Sequence, residues 1–248
     1  MPYQGDKWVN LPGKLKCCST GNDGALWGVN RNNEIYVYRK ANGWNLVSGR
    51  LKQMSVGNVY CVWGVNSSNE IYFREGTSPA DPDGTTWTKM DGSLKYISCG
   101  ADGTVWGVNN NDDIYCRVGA CMQNPKGTSW QQTEGKANTI GVGNLYTVWV
   151  TNASNEIYVR TGMSPQDPNG NGWTKVDGAL KQISCGENGA VVGSNCSDEI
   201  YAREGVSYQN PMGTAWTHLP GKLNYADCGS ESKICGVNDA EDIYVWTT

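Results

Sequence analysis

The sequence predicts an all-β protein folded as a six-bladed β-propeller, and three observations lead to this fold class. An Ile-Tyr pair recurs six times along the 248 residues, at intervals of 36, 43, 43, 43 and 43 residues. Each repeat holds four strand-sized apolar segments separated by turn residues, and the two middle segments are apolar on both faces. The six pairs are Ile35-Tyr36, Ile71-Tyr72, Ile114-Tyr115, Ile157-Tyr158, Ile200-Tyr201 and Ile243-Tyr244.

The third repeat shows the four strands most plainly. Its segments LKYISC, TVWGVN and DIYCR are followed by a segment that starts near Trp130, and GADG, NNNDD and NPKG supply the residues of tight turns between them. No stretch of a dozen residues carries apolar positions at helical spacing without a Gly, Pro or Asn-rich break. Strands that are apolar on both faces must be covered on both sides, so each sheet is expected to pack between two neighbours.

A closed ring is favoured over an open stack of sheets. A stack would need polar end repeats, and the terminal repeats here are no more polar than the others. The chain opens with an outer-strand segment at Trp8 and ends after an Ile-Tyr strand. We therefore predict that residues 7–11 complete the blade formed by residues 222–246, and that residues 1–248 form a single domain.

Most of the repeated apolar residues are predicted to form the core. The Ile-Tyr pairs of the third strands are expected to pack between blades. The second strands carry a tryptophan in the first four repeats, which Val192 and Cys235 replace in the last two. These core tryptophans are Trp27, Trp63, Trp106 and Trp149.

Charge and cysteine content restrict the function. A net charge of −4 and a pI near 5.1 argue against nucleic-acid partners and against binding to anionic membranes. No apolar run approaches the roughly 20 residues of a spanning helix, so membrane insertion is not expected. The N-terminus lacks the apolar core of a signal peptide, yet ten cysteines without metal-like spacing suggest an oxidising compartment. We expect a mature secreted chain whose signal was removed or replaced by Met1.

The sequence offers no convincing catalytic set, and we predict that the protein is not an enzyme. His218, the one histidine, stands where Lys89 and Lys175 stand in sister repeats, which indicates a surface strand residue. No zinc-type spacing of cysteine or histidine is present. The acids before each Ile-Tyr pair repeat around the ring, as turn or rim residues do: Glu34, Glu70, Asp113, Glu156, Glu199 and Asp242.

A loop of matched design follows the third strand in four repeats, and we predict that it forms a binding site. An arginine ends the third strand, an acid or amide precedes Pro-x-Gly in the loop, and a tryptophan opens the fourth strand. A planar donor, an acceptor and an indole in a small volume suit a sugar. The predicted carbohydrate-binding residues are Arg74, Asp81 and Trp87; Arg117, Asn124 and Trp130; Arg160, Asp167 and Trp173; and Arg203, Asn210 and Trp216, with Asp102 and Glu187 from neighbouring turns on the same face.

The repeat, written WTKMDGSLKYISCGADGTVWGVNNNDDIYCR at residues 87–117, closely resembles the tectonin repeat. The resemblance covers all six units, roughly residues 7–246, and the whole chain resembles the fish-egg lectins. It implies a secreted six-bladed lectin that binds N-acetylglucosamine or related sugars and bacterial lipopolysaccharide in innate immune defence. The alternative that the residues leave open is a propeller scaffold whose rim binds a protein partner.

Cysteines, glycosylation sequons and acidic loops supply the remaining expectations. Cys116 and Cys121 are close enough in sequence to form a disulfide across one loop. Cys228 and Cys235 could pair across a hairpin, or one of them could reach Cys17 or Cys18 and clamp the ring. The sequons at Asn66, Asn152 and Asn195 fall on an Asn that recurs in all six units, which favours a turn role, with glycosylation open. The DPDG and DPNG loops leave a structural calcium ion open, and self-association is open as well.

Overall fold

The structure, a computed structural model, describes residues 7–247 as six four-stranded antiparallel sheets, each a blade of a closed propeller. The all-β six-bladed prediction is confirmed. Blade I contains β2 (Cys17–Thr20), β3 (Leu26–Val29), β4 (Glu34–Arg39) and β5 (Gly43–Arg50). Blade II contains β6 (Gln53–Asn58), β7 (Cys61–Val65), β8 (Ile71–Glu75) and β9 (Thr86–Met90). Blade III contains β10 (Tyr96–Cys99), β11 (Val105–Val108), β12 (Asp113–Val118) and β13 (Ser129–Lys136).

Blades IV to VI continue the same order along the chain. Blade IV contains β14 (Thr139–Asn144), β15 (Thr147–Thr151), β16 (Ile157–Thr161) and β17 (Gly172–Val176). Blade V contains β18 (Gln182–Cys185), a 3-10 turn (Glu187–Gly189), β19 (Val191–Ser194), β20 (Glu199–Arg203) and β21 (Trp216–Lys222). Blade VI contains β22 (Tyr225–Ser230), β23 (Lys233–Val237), β24 (Ile243–Thr247) and, from the other end of the chain, β1 (Lys7–Leu11). Within the described residues, no helix has the length and apolar character to span a membrane.

The two ends of the described chain meet in blade VI. Strand β1 pairs antiparallel with β24, with Trp8 opposite Trp246 and Leu11 opposite Ile243. The Trp8 indole N–H also donates to the Pro220 carbonyl in blade V at 2.6 Å. The outer strand of the sixth sheet is therefore the one that the phase of the repeat assigns to it.

Across the described part of the chain, side-chain hydrogen bonds join the inner strands at every junction of the ring except that between blades IV and V, where Gly141 takes the place of a serine. Ser19 Oγ accepts from the Val56 amide at 2.9 Å, and Ser55 Oγ accepts from the Cys99 amide at 2.9 Å. At the junction between blades VI and I, an aspartate takes the place of this serine, and Asp227 Oδ2 accepts from the Thr20 amide at 2.8 Å. Burial raises the pKa of this carboxyl. The junction between blades VI and I therefore depends on a hydrogen bond to a buried carboxyl group.

The core lies between neighbouring blades, where the second-strand tryptophans were predicted. Trp27, Trp63 and Trp149 are 0% exposed, and Trp106 is 1% exposed. Each lies edge-on to an outer-strand tryptophan of the next blade, as Trp27 does to Trp87 at 6.3 Å between ring centroids. The Ile-Tyr pairs divide: the isoleucines are buried, and the tyrosines are only half-buried. Both members of each pair pack against the clusters between blades, as predicted, with the tyrosines at the partly exposed edge.

The blades alternate between two forms, which the repeat count alone did not reveal. The outer strands of blades I, III and V have 8, 8 and 7 residues, whereas those of blades II, IV and VI have 5 each. Blades I, III and V carry a register shift at the start of the third strand, and blades II, IV and VI carry one in the first hairpin. The ring therefore consists of three blade pairs.

Candidate functional site

Equivalent cavities open between neighbouring blades, on the face where the second strand turns into the third. The cavity between blades III and IV has a volume of about 380 Å³, that between blades IV and V about 310 Å³, and that between blades I and II about 280 Å³. The preceding blade supplies an isoleucine and a glycine, and the following blade supplies an asparagine, a tyrosine and a tryptophan. These residues are Ile35, Gly49, Asn66, Tyr72 and Trp87; Ile114, Gly135, Asn152, Tyr158 and Trp173; and Ile157, Gly178, Asn195, Tyr201 and Trp216. We call these three cavities the inter-blade pockets.

Glycine allows the tryptophan to bridge two blades in each pocket. Gly49 has φ +110°, and a Cβ built on it would lie 3.1 Å from Cδ1 of Trp87. The same indole donates its N–H to the Ser48 carbonyl at 2.8 Å. Trp173 and Trp216 donate in the same way to carbonyls of the preceding blade, at 2.9 and 2.8 Å. The indole is thus fixed in place while part of it remains accessible from the pocket.

The polar side of each pocket is a fixed network of asparagine, glutamate and tyrosine. In blade II, Glu70 Oε2 accepts from Asn66 Nδ2 at 2.7 Å and from the Tyr72 hydroxyl at 3.0 Å. The networks of blades IV and V repeat these contacts, at 2.7 and 3.1 Å and at 2.7 and 3.4 Å. Lys89, followed by Asn66 and Tyr72, lowers the pKa of Glu70 to about 2. The carboxylate is therefore charged at any physiological pH and is a permanent acceptor near the tyrosine.

His218 occupies the lysine position of this network in blade V. Its ring lies edge-on to Tyr201 at 5.2 Å between centroids, and the side chain is exposed on β21. Among residues 7–247, no group of three or more His, Cys, Asp or Glu side chains is placed to hold a metal ion.

The four predicted arginines are buried, and their role in sugar binding stays a prediction. Arg74, Arg117, Arg160 and Arg203 are 3%, 7%, 2% and 4% exposed. Each guanidinium lies over the outer-strand tryptophan of its own blade, at 5.1 to 5.2 Å from the ring centroid. Each Nε donates to a loop carbonyl at 2.6 to 2.8 Å. Most donors of these arginines hold the loop, although Nη1 of Arg74 is buried without a hydrogen-bond partner among the described residues.

The predicted acids and amides lie on the opposite face from the inter-blade pockets. Asp81, Asn124, Asp167 and Asn210 belong to the loops between third and fourth strands, where each accepts the closing backbone hydrogen bond of a turn through its own carbonyl. Asp102 accepts from the amides of Thr104 and Leu145 at 3.0 and 2.7 Å, and Glu187 accepts from Asn22 Nδ2 at 2.8 Å. These side chains and backbones serve loop structure.

One groove on the loop face does gather part of the predicted set. Asp102, Arg117 and Asp167 line a groove of about 500 Å³ between blades III and IV, without an outer-strand tryptophan. Trp130 has the same surroundings as its sister tryptophans: its indole donates to the Asp91 carbonyl at 2.9 Å, and it lies against Gly92 of the preceding blade. The structure therefore separates the predicted tryptophans from the predicted acids and amides.

The sequence analysis missed the tyrosines and the asparagine side chains of the pockets. The tyrosines were assigned to the core because they follow buried isoleucines. The asparagines were assigned to turns, and they do form turns: Asn66 Oδ1 accepts from the amides of Ser68 and Glu70. Their Nδ2 groups, which glycosylation would use, donate to the pocket glutamates. The signal that could have found the site is the Asn-x-x-x-Glu/Asp-Ile-Tyr string that each unit contains, because a polar residue two places before a tyrosine lies on the same side of a strand.

All ten cysteines are free thiols in the structure, and none of the predicted disulfides is formed there. Cys116 Sγ donates to Asn169 Oδ1 of the next blade at 2.6 Å, away from Cys121. Cys228 lies opposite Ile234 in the sheet, so Cys235, one residue further, points to the other face. Cys228 Sγ accordingly contacts the Ser184 carbonyl of blade V at 3.6 Å.

The expected contact between blades VI and I does occur, but between thiols. Cys18 and Cys235 are both buried, and burial, followed by the neighbouring Cys18, raises the pKa of the Cys235 thiol well above its ordinary value. Cys17 is buried beside Cys18, and its pKa is raised to about 12. The junction of the ring therefore contains three buried thiols.

The fold defines the class of this protein as a six-bladed propeller, with similar pockets between several of its blades. The tectonin domain matches residues 1–179 and 171–248, and the chain therefore belongs to the tectonin domain family. Tectonin-1 of Physarum polycephalum is 42% identical over 40 residues, which are 16% of this chain and 18% of that protein. The match thus spans less than a fifth of that relative.

Solved structures agree on the fold. The β-propeller domain of Cps50 (Swd1) from Myceliophteria thermophila has a TM-score of 0.60 at 8% identity, covering 96% of this chain and 85% of that chain. YCF48 from Cyanidioschyzon merolae has a TM-score of 0.58 at 12% identity, covering 94% of this chain and 83% of that chain. At such identities the likeness shows the fold alone. The resemblance to fish-egg lectins stays a prediction.

Proposed function

We propose that the protein is a lectin that binds sugars of the N-acetylglucosamine type in the inter-blade pockets. One observation carries the proposal: the same half-exposed indole, tyrosine and asparagine recur in three pockets of about 280 to 380 Å³, and a glutamate fixes the tyrosine and the asparagine in each. The indole suits the apolar C–H face of a sugar ring or an acetyl methyl group. The asparagine, glutamate and tyrosine network offers donors and acceptors at fixed angles for hydroxyl groups.

Repetition of the pocket explains how weak sites could act together on a surface that repeats one sugar. A single shallow pocket binds a monosaccharide weakly, but several pockets on one rigid face gain avidity on a surface that repeats the same sugar. Bacterial lipopolysaccharide presents such a surface, and a secreted protein of innate immune defence would meet it. The proposal of secretion rests on the resemblance to lectins, because the free thiols remove the disulfide argument.

Binding to immobilised N-acetylglucosamine tests the proposal. We expect the protein to be retained on the column and to elute with free N-acetylglucosamine, whereas an equal concentration of mannitol leaves it bound. Calorimetry with the free sugar should give a stoichiometry above one. Failure to bind any of a panel of amino sugars, neutral sugars and acidic sugars in either format would sink the proposal. Turnover of a labelled glycoside would instead indicate an enzyme.

A protein partner at the loop face is the second candidate function. Tyr208 is 63% exposed and lies edge-on to Tyr146 of the neighbouring blade at 4.7 Å between centroids. Met212 is also 39% exposed on this face. Exposed aromatic and methionine side chains are enriched in protein interfaces. A Tyr208→Ser variant that still binds sugar but no longer retains a protein partner would favour this function.

A further inference from the structure

A ring of lysines surrounds the central channel on the same face as the inter-blade pockets. Lys16, Lys52, Lys95 and Lys181 occupy equivalent positions at the start of the inner strands, where each backbone amide donates to the end of the second strand. All four are half-buried, and exposed asparagines take the equivalent places in blades IV and VI. Beside them, the hydroxyls of Tyr96 and Tyr225 meet at 3.1 Å. These two tyrosines belong to opposite blades and therefore cross the channel.

Two of the four lysines have both a carboxylate partner in their own blade and an amide partner in the next blade. Lys95 Nζ donates to Asp112 Oδ1 of its own blade and to Asn138 Oδ1 of the next blade, the latter at 3.3 Å. Lys181 Nζ repeats this arrangement with Asp198 and, at 2.7 Å, with an asparagine of blade VI. A carboxylate balances the charge of each ammonium, and an amide of the next blade accepts a second hydrogen bond.

The other two lysines lack both of these partners. Lys16 Nζ and Lys52 Nζ donate to Asn33 Oδ1 and Asn69 Oδ1, which stand where the paired lysines have aspartates. The next position around the ring is Lys52 for the first and Lys95 for the second, rather than an asparagine. Among the ion pairs of the described residues, neither Lys16 nor Lys52 has a carboxylate partner.

The direction of the Lys52 pKa shift agrees with the absence, within the described chain, of a carboxylate partner for this lysine. The pKa of Lys52 is lowered by burial first and then by the charges of Lys16 and Lys95. No acid compensates these effects. A half-buried ammonium between two like charges is destabilised unless an anion joins the group, since like charges at short range repel in a medium less polar than water.

We propose that Lys16 and Lys52, at the channel mouth, together bind a tetrahedral oxyanion, namely a phosphate or sulfate group. The ammonium groups of these two lysines have unused N–H donors after their single amide contacts, and a tetrahedral oxyanion presents several acceptors at once. Free inorganic phosphate and the phosphate group of a sugar ester share this chemistry. The site is separate from the inter-blade pockets and does not depend on sugar binding.

Two variants remove the site by different means, and a third is the matched control. Lys52→Gln removes the central charge. Asn69→Asp supplies the carboxylate that the paired lysines possess; the strained backbone accepts it, because Asp112 has φ 65° where Asn69 has φ 63°. Lys181→Gln removes one charge from the same ring at a paired position, so it measures the effect of net charge alone.

Titration with inorganic phosphate at low ionic strength, followed by calorimetry, tests the proposal. We expect saturable binding that Lys52→Gln and Asn69→Asp each weaken by about tenfold, as loss of a charge-assisted contact does, while Lys181→Gln leaves it unchanged. Thermal melts establish that each variant is folded. The neutral sugar N-acetylglucosamine should bind all three variants like the parent protein, which separates this site from the proposed lectin function.

Each outcome of the phosphate titration either supports or overturns the proposal. Absence of saturable phosphate binding, or equal weakening by Lys181→Gln and Lys52→Gln, overturns the proposal, since the latter indicates diffuse charge. Glucose 6-phosphate supplies the second arm of the experiment. Binding of this ester that Asn69→Asp weakens supports a site for phosphate groups on sugars, whereas binding of inorganic phosphate only supports a site for the free ion.

Discussion

Closing one inter-blade pocket without disturbing the ring is the sharpest test of the candidate site. The obvious variant, Trp216→Ala, is a poor choice. Trp216 lies edge-on to Trp149, carries the Arg203 guanidinium and donates to the Asp177 carbonyl at 2.8 Å. Its truncation would cost about 3–5 kcal/mol of stability, so lost binding would say nothing about the pocket.

Ala179→Phe avoids this difficulty. Ala179 lines the pocket between blades IV and V but is itself exposed. A phenyl group there projects into a cavity of about 310 Å³ and competes directly with a sugar ring. Because the position is exposed and its backbone is not strained, we expect the free energy of unfolding to change by no more than about 0.5 kcal/mol.

Stoichiometry is the decisive measurement. If the three inter-blade pockets bind alike, the number of sites falls from three to two in the variant, and the dissociation constant of the remaining sites is unchanged. Retention on a dense N-acetylglucosamine surface should fall more than in proportion, since avidity depends on simultaneous contacts. Leu46→Phe, on the outer strand of blade I where Leu46 is 65% exposed, is the control for added aromatic surface. Unchanged stoichiometry in Ala179→Phe would refute the pocket as the sugar site.

The remaining predictions concern the ring and its thiols. Asp227 has a raised pKa, so its contribution to stability is fully present below the ordinary carboxyl pKa and is lost as the pH rises through the raised value; urea unfolding of Asp227→Ser, which restores the sister residue, should lack this fall, and parallel pH profiles would contradict the assignment. Arg160→Met should lower the free energy of unfolding by about 1–3 kcal/mol, because two loop carbonyls lose the buried guanidinium that donates to them; a stable variant that no longer binds sugar would support the arginine as a ligand. Mass spectrometry of the unreduced protein should find ten free thiols, and a Cys116–Cys121 linkage would contradict the structure.

The architecture could be predicted from the sequence because every repeat has the same order of apolar segments and turn residues. Segments apolar on both faces require neighbours on both sides, and the spare segment at Trp8 has one open edge to join. The alternation of blades was also present in the letters, since VGNVY at residues 56–60 and VGNLY at residues 142–146 lie 86 residues apart. It was missed because the Ile-Tyr pair, which all blades share, set the period.

The site was harder to predict, because burial of a polar side chain is a tertiary property. Nothing local distinguishes Arg117, enclosed between its loop and Trp130, from a rim arginine open to solvent. The tryptophans were located correctly along the strand, but the direction of their indoles depends on a glycine of the preceding blade. The tyrosines were assigned to the core because they recur in all six repeats. Such recurrence is expected of a packed residue, but it does not show whether one side of the residue is exposed to solvent.

Because unlike blades alternate, the structural repeat of the molecule is a pair of sheets rather than a single sheet. Two consecutive sheets, one with a long outer strand and one with a short one, contain one of the two kinds of junction in the ring, and contact between successive pairs supplies the other. A fragment with one such pair would present the surfaces of this second junction at its two ends, and we expect three copies of it to associate into a ring. Joining the three pairs in one chain spares the entropy of bringing three partners together.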